Sequence, residues 1–239
     1  MLIGVQQMRI VSWNCGGGFR SKFQLLDHLA FDVCVIQECE EPNTTPISEY
    51  REWAGRHLWV GENRNKGIGV FFRNQNQGKI SDLSDGGNKL FLPFILNNGT
   101  TILAVWTKGS KRTAHSYVGQ IWGYLNLNMR NIDTENCLVI GDFNSNAAWD
   151  NKRPEGNHSH VVDLLKSAGL DSLYHIMSDE QHGSETIPTF YMYRDQTKGY
   201  HIDYCFASKA FASKPYSLEF GEPTSWLNNS DHIPLILEF

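Results

Sequence analysis

The stretch Cys137-Leu138-Val139-Ile140-Gly141-Asp142-Phe143-Asn144 decides how the chain is interpreted. Its apolar half predicts a buried strand, which a glycine and two polar side chains bring to an end. Proteins of the α/β class often place their chemistry at such strand ends, because glycine lets the backbone approach a ligand closely. Asp142 could bind a metal or a proton, and Asn144 could hydrogen-bond an oxyanion. A turn selected only for its backbone geometry would have the same sequence, so the rest of the chain must distinguish the two interpretations.

Length and composition predict one large domain with a sizeable core. The chain has 239 residues, of which 41% are apolar and 12% are aromatic. No apolar run approaches the ~20 residues that span a membrane, and residues 1–7 lack the charged and apolar regions of a signal peptide. The five cysteines form no close CxxC pair. This cysteine pattern favours buried, reduced thiols, and we therefore expect a cytoplasmic protein without a membrane segment.

The charge balance argues weakly against a sequence-blind nucleic-acid binder. The net charge is −5, whereas such binders are usually basic. An enzyme that holds a divalent cation, however, needs several carboxylates at its site. Basic residues also cluster locally at 108–112 and 152–153, where a solvated loop is the more common explanation for each cluster.

The first forty residues predict a strand, a helix and a second strand. Residues 8–13 alternate as a strand, and Ser21 with Gln24 forms a capping-box pattern that opens a helix through Leu29. Residues 32–37 predict a buried strand. A right-handed βαβ unit would place the two polar residues that end these strands, Asn14 and Glu38, side by side.

The remaining periodicity predicts a mixed sheet architecture. Strands are expected at 67–73, 90–96, 100–106, 187–193, 202–207 and 233–239, and helices at 49–57, 115–127 and 159–169. Asn97-Asn98-Gly99 predicts a hairpin between its flanking strands, and 187–193 is expected to pair with 202–207 as another. We find no internal repeat or long linker. The economical interpretation is one α/β (α+β) domain over residues 1–239, with two packed mixed sheets flanked by helices.

Each candidate polar residue lies at a terminus of a predicted strand. They are Asn14, Glu38, Asp142, Asn144, Asp203 and the pair Asp231-His232. Carboxylate and amide oxygens are hard ligands that suit Mg²⁺ or Mn²⁺ better than zinc. Such an ion keeps several waters and binds substrate phosphate, which points to phosphoryl-group chemistry.

These motifs resemble those of the endonuclease/exonuclease/phosphatase superfamily, which includes DNase I, exonuclease III-type AP endonucleases, sphingomyelinases and inositol polyphosphate 5-phosphatases. The resemblance is carried by Trp13-Asn14, Gln37-Glu38, Gly141-Asp142-Phe143-Asn144, His201-Ile202-Asp203-Tyr204 and Ser230-Asp231-His232. They occur in the family's order over nearly the whole chain. The resemblance implies a DNase I-like four-layer sandwich and a Mg²⁺-dependent phosphoesterase. Residues 188–191 also look like the aromatic strand of the AP-endonuclease branch.

The resemblance further implies metal ligands and catalytic groups. Glu38 would be the principal metal ligand, with Asn14 beside it and Asp231 nearby. Asp142 would orient or deprotonate the attacking water, and Asn144 would bind the scissile phosphate.

A histidine and its carboxylate partner complete the implied catalytic set. His232 would hydrogen-bond a phosphate oxygen, and Asp203 would fix the His232 ring. A histidine with a carboxylate partner keeps its positive charge more readily near neutral pH.

The sequence departs from the family pattern after the central strand. The DNase I and exonuclease III branches have His or Tyr there, whereas this chain has Val105-Trp106-Thr107-Lys108. We assign Trp106 and Lys108 as candidate substrate contacts, although Trp106 has no labile proton to give. Arg20, which follows three consecutive glycines after Asn14, is a third candidate for phosphate binding.

The sequence therefore predicts a nuclease that hydrolyses DNA or RNA by in-line attack of water. A phosphatase or phosphodiesterase acting on a small nucleotide, lipid headgroup or inositol phosphate is the alternative within the same chemistry. A catalytically silent binding module on the same fold is the alternative of a different class.

Overall fold

A computed structural model describes residues 7–86, 90–109, 116–152 and 155–239. The predicted start of a helix at 115, residues 110–112 of one basic cluster and Arg153 of the other lie outside these residues. The strands, in chain order, are β1 Arg9–Asn14, β2 Val33–Cys39, β3 His57–Asn63, β4 Lys66–Phe72, β5 Gly78–Ile80, β6 Phe91–Leu96, β7 Thr101–Trp106, β8 Cys137–Asp142, β9 Leu170–Ser172, β10 Phe190–Tyr191, β11 Gly199–Tyr200, β12 Asp203–Ser208, β13 Ser217–Phe220 and β14 Leu235–Glu238.

The α-helices range from 4 to 11 residues in length. They are α1 Ser48–Ala54, α2 Val118–Asn128, α3 His158–Ser167, α4 Leu173–Ser178, α5 Lys209–Ala212 and α6 Pro223–Trp226. Short 3₁₀ helices also occur, among them Phe19–Ser21, Phe23–Leu29, Ala147–Trp149 and Met192–Arg194.

Two six-stranded sheets form the centre of the molecule. The first has the order β13-β14-β1-β2-β4-β3, and the second has the order β5-β6-β7-β8-β12-β9. Each sheet is mixed, because β1 runs parallel to β2 and β7 runs parallel to β8 while the other neighbours are antiparallel. The predicted architecture of two packed mixed sheets flanked by helices is confirmed.

Alternation along the strands builds two apolar layers. In β1, Ile10 faces the second sheet, whereas Val11 and Trp13 face outward into a separate cluster with Phe19 and Tyr50. The outward cluster is covered by α1 and by the 3₁₀ turns between β1 and β2. The inner layer contains side chains from both sheets, and their burial holds the sheets face to face.

The structure confirms two of the predicted connections. β1 runs parallel to β2 and Asn14 lies opposite Gln37, the residue before Glu38, so the predicted adjacency of the two strand ends is confirmed. The β6–β7 hairpin turns at Asn97-Asn98-Gly99, where Gly99 has a φ of 86°. This left-handed backbone is readily available to glycine.

Two other predictions were wrong. Residues 187–193 do not pair with 202–207, because Tyr193 and Arg194 both have a φ of 59° and turn the chain away after only two strand residues. β10 instead pairs with β11, and β12 joins β8 and β9. The segment after Ser21 is a 3₁₀ helix without a side-chain cap, not an α-helix.

The cysteine and membrane expectations can be compared with the described residues. All five cysteines are buried and free, as predicted from their apolar surroundings. No helix in the described part of the chain is long and apolar enough to cross a bilayer.

Candidate active site

The strand ends of both sheets meet at one rim and enclose a cleft of about 640 Å³. The residues that line it are Asn14, Gly16, Glu38, Asn144, Phe190, Tyr193, Arg194, Asp231 and His232. Candidate site residues from four of the five motifs therefore line one cleft, and Asp203 of the remaining motif contacts His232 there.

Strand geometry places Asn14 and Glu38 at the rim of the first sheet. Asn14 continues the inward-facing series of Ile10 and Ser12 along β1, because successive side chains alternate between the two faces. Glu38 would point to the opposite face from Gln37 in a regular strand. A β-bulge prevents this, since the β2–β4 register shifts between Gln37 and Cys39 and Glu38 has a φ of 65°. The bulge redirects the Glu38 carboxylate into the cleft.

Gly141 allows the second sheet to bring Asp142 to the same place. A Cβ atom on Gly141 would lie 2.1 Å from the Val105 carbonyl oxygen and 2.9 Å from Nε2 of Gln37, which belongs to the first sheet. Gly141 also has a φ of 142°. The two sheets therefore approach each other closely at this glycine, immediately before the carboxylate of Asp142.

Asp142 is fully buried and accepts three hydrogen bonds. Its Oδ2 accepts from Asn14 Nδ2 and from Asn144 Nδ2, each at 2.8 Å, and its Oδ1 accepts from the Asn144 backbone N–H at 2.7 Å. Burial raises the pKa of Asp142 to about 8, and the Asp203 carboxylate adds to that rise while His232 and the hydrogen bonds oppose it. Proton uptake near neutral pH is what a general base requires.

Asn144 orients Asp142 in this arrangement. Its side-chain N–H groups donate to Asp142 Oδ2 and, at 2.9 Å, to the Thr107 carbonyl oxygen. The residue has a φ of 46°, so its backbone N–H can turn back to the Asp142 carboxylate. Direct binding of a phosphate by Asn144 stays a prediction.

His232 lies between two carboxylates. Its Nδ1 is 2.9 Å from Asp203 Oδ2, and its Nε2 is 4.0 Å from Asp142 Oδ2. Burial alone would lower the pKa of His232, but Asp203 and Asp142 raise it to about 10. The imidazole is therefore protonated at neutral pH and carries its charge at the floor of the cleft.

Three backbone anchors hold the His232 loop. Trp13 Nε1 donates to the His232 carbonyl oxygen at 3.0 Å, and Ser230 Oγ donates to the Asn14 carbonyl oxygen at 2.7 Å. The His232 N–H donates to Ser230 Oγ at 3.1 Å. These bonds fix Asp231 and His232 against β1, far from them in sequence.

Glu38, Asn14 and Asp231 fit a hard divalent cation. Glu38 Oε2 lies 2.6 Å from the Lys66 ammonium group, so this carboxylate already attracts a positive charge at the cleft. Asp231 and the Asn14 side chain offer further oxygen atoms around the same cleft. An all-oxygen donor set is what Mg²⁺ or Mn²⁺ prefers.

Asp142, Asp203 and His232 form a separate group whose ligand atoms lie within 4.8 Å of one another. Such spacing is compatible with a cation. Here the three side chains are connected by the hydrogen bond and close ion pair already described. We therefore interpret them as a proton-handling network beside the predicted metal ligands.

The three predicted substrate contacts outside the family motifs do not line the cleft. Trp106 is only 3% exposed and packs in the core between the sheets, so its assignment as a substrate contact is corrected. Lys108 forms an ion pair with Glu62 at 2.5 Å. Arg20 Nε lies 3.6 Å from Glu40 Oε1, and Arg20 is absent from the cleft lining. Both cations are thus paired with carboxylates outside the cleft.

Sequence reasoning missed Tyr193 and Arg194 as lining residues. Tyr193 is 83% exposed at the mouth of the cleft, and Arg194 is the cation among the lining residues. Both follow the aromatic strand residues 190–191. The left-handed turn that directs them to the cleft has no sequence signal, because neither residue is glycine. Lys66 was also missed, because it reaches Glu38 from the hairpin between β3 and β4.

A second pocket of about 500 Å³ adjoins the cleft and shares Asn144 with it. Its lining includes Tyr117 and Trp149, which are 47% and 46% exposed. The Trp149 ring contacts Tyr200 at a centroid distance of 5.1 Å. Exposed aromatic rings beside a polar cleft are suitable for stacking on a planar ligand.

The model of the Endonuclease/Exonuclease/phosphatase family matches residues 11–225. The chain belongs to this family. Four of the five motifs lie within the match, and Ser230-Asp231-His232 follows its end. A comparison with curated proteins found no match to this sequence.

Solved structures share this fold over nearly the whole chain. A 3′ phosphatase, NExo, from Neisseria bound to a product DNA hairpin has a TM-score of 0.72 at 21% identity, covering 97% of this chain and 99% of that one. An AP endonuclease from Archaeoglobus fulgidus has a TM-score of 0.71 at 13% identity, covering 96% and 98%. The endonuclease domain of TRAS1, a telomere-specific non-LTR retrotransposon, has a TM-score of 0.65 at 14% identity, covering 98% of each chain. These similarities establish the DNase I-like fold, and family membership makes the chain a phosphoric ester hydrolase.

Proposed function

We propose that this protein is a Mg²⁺- or Mn²⁺-dependent nuclease that hydrolyses phosphodiester bonds, with DNA as the preferred polymer. The observation that carries the proposal is that His232 lines the cleft with the buried carboxylate of Asp142 beside it, at 4.0 Å between Asp142 Oδ2 and His232 Nε2. The buried carboxylate of Asp142, whose pKa is raised, can accept a proton from the attacking water. The buried imidazolium of His232 can stabilise the negative charge of the reacting phosphate.

Asp142 is the group that receives a proton. Its carboxylate is held by Asn14 and Asn144, so its free lone pairs have a fixed direction. A water beside it would be oriented toward the phosphorus and would lose a proton as the new P–O bond forms. The leaving oxygen departs on the opposite side of the phosphorus.

His232 is the group that stabilises the developing negative charge. Its Nδ1 donates to Asp203, which leaves the Nε2 N–H to donate to a non-bridging phosphate oxygen. The Nε2 atom is next to the cleft, and the ring packs against Phe190 at a centroid distance of 4.8 Å. Asp203 is therefore a positioning residue for the His232 ring and its charge.

Glu38, Asn14 and Asp231 are the residues that would hold the metal ion. When bound, Mg²⁺ would supply positive charge to the phosphate oxygens and so lower the energy of the transition state. Lys66 would then release the Glu38 carboxylate, because a dication and an ammonium group repel each other at that distance.

The surroundings of the cleft favour a nucleic acid over a small phosphoester. Arg194 can bind a phosphate beside the scissile one, and the neighbouring pocket with Tyr117 and Trp149 can stack on a base. Three proteins of similar structure are a 3′ phosphatase bound to a product DNA hairpin, an AP endonuclease and a retrotransposon endonuclease domain, which supports DNA as the first polymer to test.

The test is hydrolysis of end-labelled single-stranded and double-stranded DNA, RNA and a generic small phosphodiester with excess Mg²⁺. We expect cleavage of DNA, and its loss in Asp142→Asn and His232→Ala variants that keep the wild-type melting temperature. The exposed Asp163 on α3 provides a matched control, since Asp163→Asn removes a carboxylate far from the cleft.

Each alternative gives a different result in the same experiment. Turnover of the small phosphodiester without cleavage of any polymer would favour the small-substrate phosphodiesterase. Retention of DNA binding with no turnover of any substrate would favour the binding module. Full activity of His232→Ala would contradict the assigned chemistry.

A further inference from the structure

A second cluster of metal-ligating side chains lies outside the cleft. His175, His182 and Glu185 each present one ligand atom, and these three atoms lie within 4.8 Å of one another. Glu185 Oε1 is 3.2 Å from His175 Nε2 and 3.9 Å from His182 Nδ1. His182 and Glu185 belong to the segment between α4 and β10, whereas His175 lies within α4.

Two further histidines surround this cluster and are almost completely buried. His158 is 0% exposed and His201 is 2% exposed. The His158 ring is 5.5 Å from the His182 ring, and the His201 ring is 6.4 Å from the His175 ring, as centroid distances. Four imidazoles and one carboxylate therefore share one interior region next to the Tyr204 ring.

Three of these buried nitrogens have no hydrogen-bond partner among the described residues. They are His158 Nε2, His182 Nδ1 and His201 Nε2. An unsatisfied buried polar atom costs roughly 1–3 kcal/mol, and native proteins seldom leave several of them in one place. Three such atoms together indicate that a ligand completes the region.

Three of the four histidines are fixed at their Nδ1 atom in the way that metal-binding histidines usually are. His201 Nδ1 donates to the Ile187 carbonyl oxygen at 2.7 Å, and His158 Nδ1 is 2.9 Å from Ser145 Oγ. His175 Nδ1 is 2.7 Å from Ser172 Oγ. A hydrogen bond at one ring nitrogen sets the tautomer and orients the other nitrogen for a metal.

Glu185 is also held from behind. Its Oε2 accepts from Asn146 Nδ2 at 2.9 Å and from the Gly183 N–H at 3.0 Å, which leaves Oε1 directed at the two histidines. Only 2% of its side chain is exposed, whereas 20% of the His182 side chain is exposed. An ion can therefore reach the cluster past His182 and meet a carboxylate that is already in position.

We propose that His175, His182 and Glu185 bind a divalent transition-metal ion of the zinc type, with His158 and His201 close around it. Imidazole nitrogen suits Zn²⁺ and its neighbours, whereas the oxygen donors of the cleft suit Mg²⁺. The two sites therefore select different ions.

The ion has a structural role in this proposal. It joins the segment 180–187 to α4, and through Glu185 and Asn146 it supports the turn that follows Asn144. Asn146 also donates to the His201 carbonyl oxygen at 2.9 Å, two residues before Asp203. Loss of the ion would loosen the support of both the Asp142 and the Asp203 strand ends.

The test measures metal content and thermal stability of the whole protein with excess Mg²⁺ present, so that the cleft is occupied. After removal of metal with a chelator and titration with Zn²⁺, we expect about one tightly bound equivalent and a melting temperature raised by roughly 5 °C at ~100-fold excess over Kd. His182→Gln and Glu185→Gln should each weaken Zn²⁺ binding by at least about tenfold. Glutamine keeps the size of Glu185 and an oxygen that can accept from Asn146, and His182 is partly exposed, so both variants should fold.

Two controls locate the ion. His28→Gln, at an exposed histidine outside the cluster, should bind Zn²⁺ as the wild type does, and so should Glu38→Gln. Equal Zn²⁺ binding by the wild type and both cluster variants would overturn the proposal, because the ion would then lie elsewhere. Absence of a stoichiometric ion, or an equal rise of the melting temperature with Mg²⁺ alone, would overturn it as well.

Discussion

The charge of His232 depends on Asp203, and Asp203→Asn tests that dependence directly. The neighbouring carboxylates raise the pKa of His232 from 6.5 to about 10, which corresponds to roughly 5 kcal/mol of stabilisation of the charged ring. Asp203 contributes the larger part, because it is hydrogen-bonded at 2.9 Å whereas Asp142 is 4.0 Å away. We assign about 3 kcal/mol to Asp203, the upper range for a hydrogen bond to a charged group.

The expected result is a loss in rate together with a displaced pH profile. A loss of about 3 kcal/mol of transition-state stabilisation lowers kcat/KM by roughly 150-fold. The pKa of His232 should fall by about 2 units. The alkaline limb of the kcat/KM profile, which reports loss of the His232 proton, should therefore move to lower pH by a similar amount.

The assay is hydrolysis of labelled DNA with saturating Mg²⁺ over a range of pH, for the wild type and for Asp203→Asn. Asparagine can still accept the Nδ1 hydrogen bond, so the fold and the ring position should be retained, and the melting temperature checks this. A variant with near wild-type kcat/KM and an unchanged alkaline limb would refute the assigned role of Asp203. A lower rate with an unchanged profile would mean that Asp203 supports structure and not charge.

Three further outcomes follow from the described contacts. Glu38→Gln should raise the Mg²⁺ concentration for half-maximal activity about 10–100-fold, which a metal titration measures; an unchanged titration would contradict its role as the principal ligand. Arg194→Gln should lower kcat/KM for DNA roughly tenfold, because Arg194 lines the cleft, whereas Arg20→Gln should leave it nearly unchanged. Steady-state kinetics of both variants measures this difference, and equal effects would contradict the role of Arg194. Burial lowers the pKa of His158 to about 4, so the unfolded chain binds a proton below pH 6.5 that the folded chain does not. His158 should therefore contribute a fall of roughly 3 kcal/mol to the free energy of unfolding of chelator-treated protein between pH 6.5 and 4, and denaturation of a His158→Gln variant should show a loss smaller by that amount.

The sequence was sufficient for the architecture and for most cleft residues because both depend on strand ends. An apolar run that is followed by a polar residue predicts where a strand ends. Neighbouring parallel strands place their carboxyl ends at the same edge of the sheet. Asn14 and Glu38 were found this way, and Asp142 with them. The family motifs then grouped Asp203 and Asp231-His232 with them.

What could not be predicted depends on backbone conformation and on packing between distant segments. Tyr193 and Arg194 take left-handed conformations that favour glycine, so their sequence did not indicate a turn. The environment of Trp106 depends on which face of β7 meets the opposite sheet, and this is decided by packing. Lys66 meets Glu38 only because β4 pairs with β2 beside the bulge.

The histidine cluster shows a third limit of sequence reasoning. Polar residues surround His158 in the sequence, as is typical of a surface residue, yet its side chain is buried. Its neighbours in space come from α4 and from the segment before β10. Only the folded chain brings these groups together.

The close approach at Gly141 has a consequence for how the enzyme can vary. Asp142, the proposed base, belongs to one sheet, and Asn14, which donates to it, belongs to the other, so their 2.8 Å hydrogen bond joins the two sheets. A substitution that moves the sheets apart by a few tenths of an ångström would stretch this bond before it unfolded the protein. Tolerance of sequence change should therefore be lowest where the two sheets meet at Gly141. It should be higher at the solvent-facing mouth of the cleft, where substrate specificity can evolve without disturbing Asp142 and Asn14.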